Sequence, residues 1–147
     1  MRKACEIATD LVTLAGEHGD TRRNAEAEHR LATVRTYSGD FDLADEGWER
    51  AWALLKSMQE PATGLIQRSA GPMPRAQTAQ VLGDGQAFNR IYSAWIQWFL
   101  GYPDRALERA SIATAIARES GLKSLQADVQ YHAADVFELC SYVGGCP

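Results

Sequence analysis

Two short stretches of this chain say nearly the same thing 62 residues apart: Tyr37-Ser38-Gly39-Asp40-Phe41-Asp42-Leu43-Ala44 and Phe99-Leu100-Gly101-Tyr102-Pro103-Asp104-Arg105-Ala106. Each runs from an aromatic ring through a glycine to a turn, then to an alanine that opens a new helix. The agreement continues with Glu46 against Glu108 and Ala51 against Ala113. A helix–turn–helix unit that recurs at a fixed step marks a helical array, whose units bury their apolar faces only by stacking on one another. Arrays of this kind hold surfaces for other molecules more often than catalytic centres.

Helical spacing recurs along the whole chain, and no segment alternates apolar and polar residues over a strand's length. The first helix is expected from about Arg2 to His18, with Ala4, Ile7, Ala8, Leu11, Leu14 and Ala15 on its apolar face and Gly19 as its stop. Asp20 or Thr21 caps a second helix reaching Tyr37, and Gly39 ends it. The third covers Asp42 to about Met58, with Leu43, Ala44, Trp48, Ala51, Trp52 and Leu55 inward. Residues 59–85 hold three prolines and four glycines and read as a long connector, with a short helix over Arg75 to Val81. Asp84 then caps a fourth helix from about Gln86 to Leu100. Pro103 suits the first turn of a fifth, since its missing N–H costs nothing there. That helix ends at Ser120 before Gly121 and carries a stripe of small residues, Ala106, Ala110, Ala113 and Ala117, that lets a neighbour approach closely. A sixth spans Lys123 to Val143. The expected fold is all-α: six helices in antiparallel pairs at about 21–58 and 86–120, flanked by half-repeats at 2–18 and 123–143.

Composition narrows the function classes. With 147 residues the chain is one domain by length, and a net charge of −4 argues against nucleic acid as the main partner. No apolar run approaches the roughly 18–20 residues needed to span a bilayer. Glu6 and Asp10 interrupt the start too early for a signal peptide. The three cysteines, an odd number placed near the ends, suit a reducing compartment, so the expected location is the cytoplasm.

The series Gly39, Phe41, Ala44, Trp48, Ala51 and its counterpart Gly101, Pro103, Ala106, Ala110, Ala113 resemble the tetratricopeptide repeat. More narrowly, the run from Tyr92 to Leu107, with its Leu100-Gly101-Tyr102-Pro103-Asp104 core, is similar to the carboxyl-terminal repeats of large bacterial signalling ATPases, which are often joined to cyclase or transcription-regulator modules. The resemblance extends to Ala4–Leu54, about 120 residues in all. The chain has no Gly-x-x-x-x-Gly-Lys-Ser/Thr phosphate loop, so nucleotide hydrolysis does not carry over. The resemblance implies a superhelical array in which the first helix looks like the second half of an upstream repeat and the last like the first half of a downstream one. An interior slice of a longer scaffold is expected to expose its end faces and to self-associate, as a homodimer for instance.

In such repeats the first helix of each pair lines the concave face. The matching positions are Glu26, His29, Thr33, Thr36 and Tyr37, then Phe88, Ile91, Trp95, Trp98 and Phe99. The functional reading is a groove with aromatic anchors for a protein or peptide partner. The other reading is that these rings fill the core or lie under the connector, as aromatic stripes commonly do. A closed bundle with an aromatic small-molecule pocket, as a binding protein or an enzyme, is the alternative architecture. Glu26 with His29, and His132 with Asp128 and Asp135, have ligand-like spacings, but neither set has the complement a metal needs. Gly83-Asp84-Gly85 reads as a cap and not a phosphate cradle, because Asp84 puts negative charge where phosphate needs positive potential. No serine or cysteine sits in a nucleophile context. The expectation is a non-catalytic interaction or ligand-sensing module with no cofactor.

Overall fold

The computed structural model describes residues 2–58 and 75–144, and these are helical throughout apart from short turns, with no strand. Six helices follow in order: α1 (Arg2–Glu17), α2 (Thr21–Ser38), α3 (Phe41–Ser57), α4 (Arg75–Phe99), α5 (Pro103–Ser120) and α6 (Lys123–Gly144). Asp20 caps α2, its carboxylate accepting from the backbone N–H of Arg22 and Arg23 at 3.0 and 3.2 Å. Pro103 opens α5 as expected, and Gly39 and Gly101 take left-handed conformations at the two matched turns, where a side chain would be strained.

One boundary differs from the sequence reading. Asp84 does not cap a helix: α4 begins at Arg75, so Gly83-Asp84-Gly85 lies inside it. Two interior glycines cost a helix roughly 1 kcal/mol each, yet Gly85 faces α3, where a Cβ would meet Leu55 at 3.5 Å. The remainder of the expected connector, residues 59–74, lies outside the described residues.

Each helix packs on the next, and α4 lies against both α5 and α6. Small residues govern these approaches. Ala106, Ala110, Ala113 and Ala117 of α5 are all buried against Ala87, Ile91 and Ala94 of α4 and Val129 and Val136 of α6. At the α2–α3 crossing, Gly47 sits so close that a Cβ there would stand 3.0 Å from the Ala32 methyl. Leu43, expected inward, is 46% exposed beside the first turn.

The seam between α3 and α4 is polar as well as aromatic. Asn89 donates to the Trp48 carbonyl at 3.0 Å, and Gln86 to that of Leu55 at 3.3 Å. The buried Arg90 pairs with Glu49 at 2.8 Å while its guanidinium lies 3.9 Å over the Trp52 ring. Arg109 reaches across from α5 to Asp45, and to Glu49 at 3.0 Å. These charges tie three helices together on one side and leave the opposite side of α4 to its rings.

Candidate functional site

The accessible side of α4 carries Phe88, Tyr92, Trp95 and Phe99, spaced i, i+4, i+7 and i+11 along one face. The first three are half-buried and Phe99 is 47% exposed. The rest of the helix from Gln86 to Gln97 is buried. Phe88, Tyr92 and Trp95 pack partly against the core formed by α4, α5 and α6 and keep the rest of their rings accessible.

Tyr92 is the centre of this surface. Its ring stacks on Trp48 with centroids 5.9 Å apart and meets His132 of α6 at 5.4 Å. Trp48 in turn receives the edge of His29 from α2 at 4.7 Å and donates its indole N–H to the Thr36 hydroxyl at 3.3 Å. A continuous path of rings thus crosses from α2 through α3 and α4 to α6. Burial, and the neighbouring Tyr37 and Asp128, push the Tyr92 phenol above its usual range, which places both neighbours near its hydroxyl. Burial, with the Arg30 cation adding to it and Glu26 opposing, lowers His29 from 6.5 to about 4. The Tyr92 phenol and the His29 imidazole are therefore both uncharged at neutral pH.

The ten expected site residues separate accordingly. Ile91 is a correction: it is fully buried against the α5 alanines and offers no surface. Tyr92, half-buried beside it, takes the place given to Ile91, while Phe88, Trp95, Trp98 and Phe99 all keep part of their rings accessible. Trp98 is half-buried against the core and meets the edge of Phe99 at 5.2 Å. Phe99 itself stacks on Phe41 from the first turn at 4.9 Å. Tyr37 is 73% exposed. The Thr33 hydroxyl donates to the His29 carbonyl at 2.8 Å, and that of Thr36 to Ala32 at 2.8 Å, so both threonines offer the surface chiefly a methyl. Glu26 and His29 also line an open groove of about 290 Å³ at the other end of α2, where Glu26 pairs with Arg22 at 3.1 Å.

Sequence reasoning missed His132 as a member of the surface and did not foresee that Trp48, rightly expected inward, would link its rings. Trp48 reads as core because it is core, 1% exposed, yet it links the rings on either side. Among the described residues no three His, Cys, Asp or Glu side chains come together as a metal would require. Burial, with the Asp104 charge adding to it, pushes the Cys140 thiol up. No helix among the described residues is long and apolar enough to cross a membrane. No protein-family model, curated protein or solved structure matches the chain.

Proposed function

We propose that the chain is a non-catalytic helical-repeat module, of tetratricopeptide type, that binds a peptide segment of another protein across α2, α4 and α6. The observation that carries this reading is the Phe88–Tyr92–Trp95–Phe99 stripe, accessible on a helix whose other faces are buried. Aromatic side chains held rigidly on a scaffold make good anchors, because little conformational entropy is lost when they are covered. The repeat reading draws support from the left-handed glycines at matched turns and from Ala44, Ala51, Ala106 and Ala113, all wholly buried at matched positions. Grooves open to solvent favour an extended partner over an enclosed small molecule. A cytoplasmic setting, as part or relative of the repeat region of a large bacterial regulator, is the reading that the sequence resemblance and the free thiols at Cys5 and Cys140 support.

Selection of binders from a random peptide library, followed by chemical-shift mapping on the labelled chain, tests the proposal. Binders are expected to shift α2, α4 and α6 resonances and to lose roughly 10-fold or more in affinity with Tyr92→Ala or Trp95→Ala. Thermal melts of both variants must remain cooperative. Binders that map elsewhere and ignore both substitutions would falsify this reading.

A further inference from the structure

The outermost helices leave apolar surface uncovered. On α1, Ile7, Leu11 and Leu14 are 61%, 44% and 56% exposed along one stripe, while Ala8 and Ala15 face α2. Between α1 and α2 lies an open groove of about 430 Å³ with Leu11, Leu14, Ala15 and Ala27 on its walls and His18, Arg23, Glu26 and Arg30 also lining it; Arg23 pairs with Asp20 and Glu26 with Arg22. Arg30 makes no ion pair among the described residues.

The molecule contains its own precedent for what fills such a notch. Helices α5 and α6 are joined through the left-handed Gly121, as α1 and α2 are through Gly19. Helix α4 lies against both α5 and α6, burying Ala87, Ile91 and Ala94 completely. No described helix occupies the equivalent place beside α1 and α2. Helix α6 carries the missing face: Ala127, Tyr131 and Ala134 repeat the small–large–small spacing of Ala87, Ile91 and Ala94, and all three are exposed, Tyr131 to 69%. One and two turns further along the same side stand Glu138 and the 78% exposed Tyr142, with Asp135 beside them. Neither Asp135 nor Glu138 is ion-paired among the described residues, so this face offers free carboxylates where the groove holds one unpaired cation, Arg30. On α1 the acidic Asp10 borders the stripe on the side away from α2.

We propose that α6 of one copy of the chain docks in the groove between α1 and α2 of the next, so that copies associate head to tail. Tyr131 and Tyr142 cover Ile7, Leu11 and Leu14, the alanines set the close approach, and Asp135 and Glu138 meet the unpaired Arg30. The contact is heterologous: a pair of copies keeps one groove and one α6 face free, and growth continues beyond two copies unless a ring closes. This inference is independent of what the aromatic stripe binds.

Sedimentation velocity over a concentration series is the test, with variants that block one end each. Wild-type mass is expected to rise with concentration past that of a dimer and to fall back in high salt. Leu11→Glu closes the groove and Tyr131→Glu closes the α6 face; both sites are exposed, and circular dichroism checks that each variant folds. Each variant alone should be monomeric, and an equal mixture should form a complex of two chains and nothing larger. Arg30→Glu and Ala134→Glu serve as a second blocking pair if either first variant melts early. A wild-type monomer at every concentration, a mixture that stays monomeric, or Tyr131→Glu still dimerising through α1 against α1 would each overturn the proposal.

Discussion

At the scale of single residues, His29 has the largest consequence for solution behaviour. Its ring is held uncharged by burial beside Trp48, with a pKa of about 4 against 6.5 when free. Between those values the unfolded chain binds more protons than the folded one, so stability falls as pH drops through that window and is fully present above it. The loss approaches about 3 kcal/mol at roughly 1.4 kcal/mol per unit of pKa, reduced by the part of the ring that still meets solvent. Melting temperature should therefore decline from pH 6.5 to pH 4, and His29→Gln should flatten that decline. Below the window Glu49 takes over: burial raises its pKa, but the hydrogen bond and charge of Arg90, with Arg109, outweigh this and hold it low. An unchanged pH profile in His29→Gln would remove the imidazole from the account.

At the scale of helices, close packing depends on residues with almost no side chain. Gly47 lets α3 cross α2 where even a methyl would press on the Ala32 methyl and backbone. Gly47→Val should destabilise by about 1–3 kcal/mol, the usual cost of overpacking, despite replacing a poor helix former. A denaturant midpoint equal to wild type would mean that the crossing has slack.

The same crossings explain how much was legible in the sequence. The turn glycines, Asp20, Pro103 and the α5 alanines act through local geometry, so their roles follow from spacing alone, and five of the six helices lie close to their expected bounds. The start of α4 was not legible because Gly83 and Gly85 carry the local mark of a stop. Tertiary contact with Leu55 overrides it. The aromatic face was half legible: spacing put Phe88, Trp95 and Phe99 on it, but choosing between Ile91 and Tyr92 needed the position of α5. His132 joins it, and the buried Trp48 backs it, through contacts between helices that no periodicity encodes.

At the scale of the whole molecule, the helices stack in chain order and the interior members have neighbours on more sides than α1, which packs on α2 alone. If the chain behaves as the proposed helical array, its stability is a sum of unit and interface contributions, and the ends open at lower cost than the centre. The ring-rich seam between α3 and α4 has a spectroscopic corollary. All four tryptophans, Trp48, Trp52, Trp95 and Trp98, belong to those two helices, so intrinsic fluorescence sees the middle of the stack and is blind to either end. Far-ultraviolet circular dichroism weighs every helix alike. In a urea titration the dichroism should begin to fall before the emission moves, and the gap between the two curves measures how far the ends fray ahead of the centre. Superimposed curves would instead reveal a molecule that melts as one piece. The chain thus carries a built-in reporter of its own centre.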